Sequence, residues 1–245
     1  MGLARGILGY PNLKALDLSC GQGEILNVLV QDGCDGRGTR YTDEDPFVAR
    51  REPLVGAGLV DDGVDLTKRL PYEDDSWDLV LLTEVIEHMA DFTALLQEVD
   101  RILEPDGHLI LSAPNIQRIH SRVWFLLAGH HKIIGHRPGW GTAYSEMYAC
   151  HQNPPPFPLL HTSLYQAGLT VKEMRYTRVK WRHAYWAALW PLIALATRRE
   201  LRKRKCSSLE AEGRDDLYGW MTSGPMLFSE QIALLAARSQ APSRT

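Results

Sequence analysis

Apolar positions along the chain fall into short unbroken runs and one long stretch of helical spacing. Leu13 to Ser19 is a short, mainly apolar run with a single acidic residue near its end, and Gly21 and Gly23 follow at once. That pattern predicts a buried strand feeding a tight turn, with a helix over Glu24 to Gln31. A weaker strand is predicted around Thr39 to Thr42. Leu59 to Leu66 reads either as a third strand or, through VDDGVD, as a loop. Trp77 to Leu82 is the clearest strand, apolar throughout after Asp78. Glu84 to Leu103 then carries Val85, Met89, Phe92, Leu95, Leu96, Val99 and Leu103 at the spacing of one helix face. EPDG ends that helix, and HLILSAP is the next strand. Strands alternating with helices, apolar on both faces, predict a mostly parallel, doubly wound α/β sheet with its ligand at the C-terminal strand ends.

The pattern loosens from Asn115 to about Pro158, where His, Gly, Pro and aromatic residues crowd together and the Pro run forbids helix. A helix returns over Leu159 to Ala167, a long strand over Leu169 to Val179, and a last strand, or strand plus helix turn, over Leu227 to Ala236. No internal repeat interrupts this order.

Composition narrows the class without naming it. The 245 residues suffice for one substantial core, and 44% hydrophobic, 23% charged and a net charge of -3 describe an ordinary globular chain, neither disordered nor a strong polyanion binder, which leaves nucleic acid open but unsupported. Cys20, Cys34, Cys150 and Cys206 show no CxxC or zinc spacing and read as separate thiols in a reducing compartment. MGLARGILGY has no secretory core or cleavage site, so a cytoplasmic location is expected.

The first turn carries the candidate chemistry. Gly21 and Gly23 let the backbone turn sharply and approach a ligand closely, and amides opening the next helix can face polar groups. Asp43, within YTDEDP, is placed to accept from both ribose hydroxyls, a use shared by NAD and adenosyl sites, or else is a solvated turn carboxylate. Asp65 can accept from an adenine amino group while Leu66 covers the ring, or can cap a turn. A dehydrogenase would call for a third Gly where Leu26 stands.

LDLSCGQGE, YTDEDP, LPYEDDSWDLVLLTEVIEHM and LEPDGHLILSAPN together resemble the class I S-adenosylmethionine-dependent methyltransferases, especially the small-molecule group with methionine-biosynthesis W-like and ubiquinone-pathway members. The resemblance covers Leu13 to Asn115, and LHTSLYQAGLTV with LFSEQIALLAAR resembles that group's closing elements. It implies a Rossmann-like seven-stranded sheet of order 3-2-1-4-5-7-6 with the last strand antiparallel. It also implies S-adenosylmethionine as cofactor and S-adenosylhomocysteine as product. By position, Asp17 and the turn of Ser19, Cys20, Gly21 and Gly23 would surround the methionine part. Asp43 would hold the ribose and Asp65 and Leu66 the adenine, while Thr83 and Glu84 would line the methionine side and the transfer site. The family usually has Gly at position 19, so Ser19 must avoid a strongly positive φ or accept strain.

Methyl transfer from a sulfonium is an in-line displacement in which the protein aligns the partners and removes a proton from a hydroxyl acceptor. His88, His120 and His151 are the candidate bases. His130, His131, His136 and His161, with Trp140, Tyr144 and Tyr148, fill out an acceptor wall. Glu84, Glu87 and His88 at i, i+3 and i+4 would share a helix face. In ubiquinone-pathway members such a segment is linked to a divalent metal, and in others it is structural; no metal ligand is assigned here.

The whole chain, 1–245, reads as a single methyltransferase domain with core motifs over 13–115. A variable substrate or lid region covers 116–160, and an apolar and basic insertion covers 181–222. Within it, Ala184 to Ala196 is too short for a bilayer span and holds Pro191, and Arg198, Arg199, Arg202, Lys203, Arg204 and Lys205 follow. The alternatives are an interfacial helix at the inner membrane face, a packed hairpin with a solvated end, and a homodimer contact. The expected activity is methylation of a small-molecule, glycan or amphipathic acceptor on oxygen. The alternatives are nitrogen or carbon transfer and a non-catalytic adenosyl-binding scaffold. Nucleic acid is not expected as acceptor, since no NPPY or DPPY segment follows the fourth strand.

Overall fold

Lys14–Asp17 forms β1, and its last three side chains are buried from both faces, as a central parallel strand requires. The computed structural model describes residues 13–40, 59–132, 153–203 and 208–239. β1 pairs in parallel with β2 (Asp35–Thr39) on one side and β4 (Trp77–Thr83) on the other, with β3 (Val60–Asp61) beyond β2. β5 (Leu103–Pro114), β6 (Leu169–Met174) and β7 (Gln231–Arg238) complete seven strands in the order β3-β2-β1-β4-β5-β7-β6. β7 runs antiparallel to both its neighbours, so the expected fold class is the observed one.

The chain divides into two compact units. The first comprises 1–112, 163–173 and 234–245; the second comprises 113–162 and 174–233.

In the first unit, α1 (Glu24–Gln31) buries Leu26 and Leu29, and α2 (Thr93–Ile102) buries Leu95, Leu96, Val99 and Ile102. Each such side chain contributes roughly 1.5–3 kcal/mol. The Asp91 carboxylate accepts from the Thr93 amide at 2.8 Å and so starts α2. The helix expected from Glu84 is therefore corrected. Glu84 has φ 55, Ile86–His88 is a single 3-10 turn, and Met89 is extended before α2 begins. A left-handed residue cannot continue an α-helix, although the apolar spacing runs on across the break. The second strand is also corrected, from around Thr39–Thr42 to Asp35–Thr39. Its sequence DGRGT is poor in strand formers before Thr39, but a Cβ at Gly36 would stand 2.9 Å from Val30 and one at Gly38 would stand 2.8 Å from Cys20 Sγ. Close packing against α1 and the turn selects glycine here.

In the second unit the region expected to be loose contains α3 (Ile119–Ala128). The buried Asn115 amide donates to the carbonyls of Met226 and Ser229 at 2.7 and 3.0 Å, while its oxygen accepts from the Gln117 amide. α4 (Phe157–Gln166) follows, its residues from Ser163 onward belonging to the first unit. β6 ends at Met174, five residues short of the expected strand, and Val179 keeps one antiparallel bridge to Ser229. A 3-10 segment, Trp181–Leu189, leads into α5 (Trp190–Arg202), with Pro191 in its first turn rather than as an interruption. α6 (Ser208–Met221) and α7 (Gly224–Phe228) precede β7.

Candidate functional site

At the C-terminal end of β1 the chain must reverse between a strand and a helix in six residues. It does so with three left-handed residues, Ser19 (φ 60), Gly21 (φ 56) and Gly23 (φ 74). Ser19 thus accepts the strain instead of avoiding it, at a cost of about 1–2 kcal/mol. Two bonds hold the turn: the Ser19 amide donates to Thr39 Oγ1 at 2.8 Å and the Cys20 amide to the Thr39 carbonyl at 3.2 Å. Beneath it, Cys20, Leu26 and Val60 form a buried cluster. Above it, a Cβ at Gly21 would meet nothing within 4 Å, so the face of the turn is open to a ligand.

Asp17 closes β1 and is only 1% exposed. Its Oδ1 is buried without a hydrogen-bond partner, and burial pushes its carboxyl up to about 7. A desolvated acceptor of this kind calls for a cationic or donor group from outside the fold. The next strand crest belongs to β4, where the Leu18 amide donates to the Leu81 carbonyl at 2.9 Å. Two residues on, Thr83 is half-buried, and Glu84 Oε1 accepts from the Ser112 hydroxyl at 2.8 Å while its amide donates to the Ser112 carbonyl. Asp17, the turn, Thr83 and Glu84 are thereby gathered at adjacent strand ends. Open space, a left-handed turn and an orphaned buried acid fit the methionine part of S-adenosylmethionine.

Asp65 and Leu66 lie after β3. Asp65 Oδ1 accepts from the Thr67 amide and hydroxyl at 2.9 and 2.7 Å, and Lys68 pairs with its Oδ2 at 3.0 Å. These bonds, the Thr67 hydroxyl first, hold its carboxyl down to about 2. Asp65 thus caps its own turn. Asp43 and His151 lie outside the described residues.

Glu84, Glu87 and His88 do not share a helix face, because the helix that would align them is absent. Glu87 is fully buried, and burial followed by the nearby Glu84 carboxylate raises it to about 8. His88 is exposed at the end of the 3-10 turn. Among the described residues no three His, Cys, Asp or Glu side chains gather into a group that could hold a metal ion.

The second unit has its own cavity of about 570 Å³, and His120 lines it. Its described walls are Ile119, Val179, Trp186, Trp190, Leu227 and Phe228, with Arg118 and Lys180 as the charged members. Sequence reasoning missed Thr39, Ser112 and Arg118. Ser112 had a signal, being the one hydroxyl inside LILSAP; Arg118 had none, since its burial depends on a partner over a hundred residues away.

Residues 8–150 match the model of a methyltransferase domain family. Over 164 residues the chain is 24% identical to a ubiquinone biosynthesis O-methyltransferase of Chelativorans sp. (strain BNC1), covering 67% of this chain and 61% of that protein. It is 32% identical over 109 residues to the protein of the same description from Xanthomonas oryzae pv. oryzae (strain PXO99A), covering 44% and 46% respectively. The chain thus spans less than two thirds of the length of these relatives. Among solved structures, an S-adenosylmethionine-dependent methyltransferase from Methanosarcina mazei superposes with a TM-score of 0.59 at 15% identity, covering 97% of both chains, which is a likeness of fold.

Proposed function

The chain belongs to the methyltransferase domain family, and from that premise we propose that it transfers a methyl group from S-adenosylmethionine to oxygen on a small molecule or glycan. The observation that carries the reading is the buried, unpartnered Asp17 carboxylate beneath an open left-handed turn. The bound cofactor supplies a methyl group already activated by the sulfonium charge. Asp17 accepts from the cationic ammonium of the methionine part, and the Ser19–Gly23 backbone keeps Cβ atoms out of the way. Glu84, fixed by Ser112, positions the entrance to the transfer site, and Asp43 and Asp65 with Leu66 take the ribose and adenine. Oxygen as the methylated atom is supported by the names of the ubiquinone-pathway relatives. His88, His120 and His151 are the candidate bases for a hydroxyl acceptor.

Calorimetric titration with S-adenosylhomocysteine, with NAD as comparison, tests this reading. Micromolar or tighter binding of the first without the second is expected. A folded chain that binds neither would end it.

We further propose that the protein works at an anionic membrane surface. Leu126 and Leu127 on α3 are 82% and 76% exposed, Leu192 and Leu195 on α5 are also exposed, and α5 buries no side chain. Trp124, Tyr185 and Trp190 accompany them, and Arg198, Arg199, Arg202 and Lys203 end α5. Apolar side chains bordered by aromatic rings and cations complement the interfacial layer of acidic lipids. No helix among the described residues is long and apolar enough to cross a membrane.

A further inference from the structure

The cavity of the second unit is walled by apolar and aromatic side chains, yet its charged lining is entirely cationic among the described residues. Arg118 is 6% exposed and lines it. One of its terminal nitrogens donates to Glu230 at 3.2 Å and the other to the Lys132 carbonyl at 2.8 Å. Its Nε is buried without a partner. The indole nitrogen of Trp186, also in the wall, is a second buried donor with no acceptor. Lys180 pairs with the same Glu230 carboxylate, which is itself buried, and the exposed Arg178 stands 3.8 Å from it. Arg118 and Lys180 therefore share one carboxylate, and one positive charge is left over beside an apolar chamber.

Two orphaned donors buried in the wall are costly unless an acceptor joins them, and the surplus cation, Lys180 at 36% exposed, favours an anionic one. A purely apolar ligand would leave that cost in place, and a cationic one would add to it. A cavity of about 570 Å³ has room for a drug-sized ligand, of which Ile119, Val179, Trp186, Trp190, Leu227 and Phe228 would cover the apolar part. We propose that this cavity binds an anionic amphiphile, with the anion at Arg118, Lys180 and the Trp186 indole and the apolar body against the aromatic wall. Thr177 contributes structure only, since its hydroxyl donates to the Gln231 carbonyl and accepts from the Gln231 amide.

The test is calorimetry of the full chain with monomeric dodecanoate and, separately, dodecanol, each repeated with S-adenosylhomocysteine. Dodecanoate is expected to bind at least tenfold more tightly than dodecanol. Lys180→Gln should shrink that ratio severalfold by weakening dodecanoate alone. Ala187→Trp, at an exposed cavity-lining position, should block both ligands while S-adenosylhomocysteine still binds. Arg118→Gln is a poor first choice because it strands the buried Glu230. Folded wild type that binds neither amphiphile, or both equally, overturns the proposal, as does undiminished dodecanoate binding by Ala187→Trp. If dodecanoate binds in the expected pattern while S-adenosylhomocysteine does not bind, the anionic amphiphile site stands and the methyltransferase reading falls.

Discussion

The amide of Ser19 donates to the hydroxyl of Thr39 at 2.8 Å, so the turn that follows the first strand is held by the last residue of the second. Thr39→Val keeps the buried shape and removes the acceptor. We expect S-adenosylhomocysteine affinity to fall about three- to tenfold, with secondary structure unchanged, as one hydrogen bond is worth roughly 0.5–1.5 kcal/mol. Calorimetry at fixed pH checks this; unchanged affinity would show that the bond does not set the turn.

Ser19 pays for its φ of 60 in stability. Ser19→Gly should relieve the left-handed strain and raise the melting temperature by several degrees, with cofactor affinity retained. Ser19→Val should do the reverse on both counts. A thermal melt of the three proteins decides it.

Asp17 predicts a pH signature. Its carboxyl holds a proton up to about 7 in the fold, whereas the unfolded chain loses it near the ordinary value of 3.8. The unfolded state therefore gains stability relative to the fold as pH rises from about 4 to about 7, by up to roughly 4 kcal/mol, and the loss is constant above that. Asp17→Asn should then melt higher than wild type at pH 8 and show no such gain at pH 4. Its S-adenosylhomocysteine affinity should fall at least tenfold at pH 8. In the wild type, that affinity should climb as pH passes through 7, because only the ionised carboxylate pairs with an ammonium. A flat binding profile would remove Asp17 from the site.

Gly38→Ala should destabilise the fold by about 1–3 kcal/mol, since the new methyl would stand 2.8 Å from Cys20 Sγ and 2.9 Å from Leu26. Combining it with Cys20→Ala should recover part of the loss, a coupling readable in a denaturant double-mutant cycle. Simple additivity would mean the two positions do not compete for space.

Wild type should sediment with vesicles containing phosphatidylglycerol and much less with phosphatidylcholine alone. Leu126→Ser with Leu127→Ser should abolish sedimentation, and Arg198, Arg199, Arg202 and Lys203 to Gln should remove its dependence on acidic lipid. Failure of wild type to sediment, or sedimentation untouched by both sets, would sink the membrane assignment. Should the exposed leucines instead mediate self-association, ultracentrifugation would show a dimer that the Leu variants dissolve.

The parts legible in the sequence were those where local pattern and tertiary role agree. Leu79 to Leu82 is apolar because both faces of β4 are covered, and Asp17 to Gly23 announces a turn because glycine is used where the backbone is left-handed. The sheet order followed from resemblance, not from periodicity. The misreadings have physical causes. The second strand was placed too late, around Thr39, since the glycines of DGRGT answer to neighbours in α1 and the turn, which no local scale records. Glu84 looked like a helix start, but Ser112 holds its side chain and its amide, stabilising a left-handed backbone one residue before the apolar spacing resumes. α3 was overlooked because Leu126 and Leu127 face outward, so its apolar residues trace no single buried stripe. Nothing near Arg118 in the sequence announces a buried ion pair with Glu230.

The second unit is assembled from two stretches, 113–162 and 174–233, separated by eleven residues that belong to the first. Anyone wishing to trade its cavity for that of a relative cannot move one cassette. The exchange needs four junctions, and three of them fall inside β5, β6 and β7. Each splice must therefore keep strand register, where a slip of one residue would turn every later side chain to the wrong face. Changes to the cavity are accordingly more accessible by substitution within its wall than by recombination.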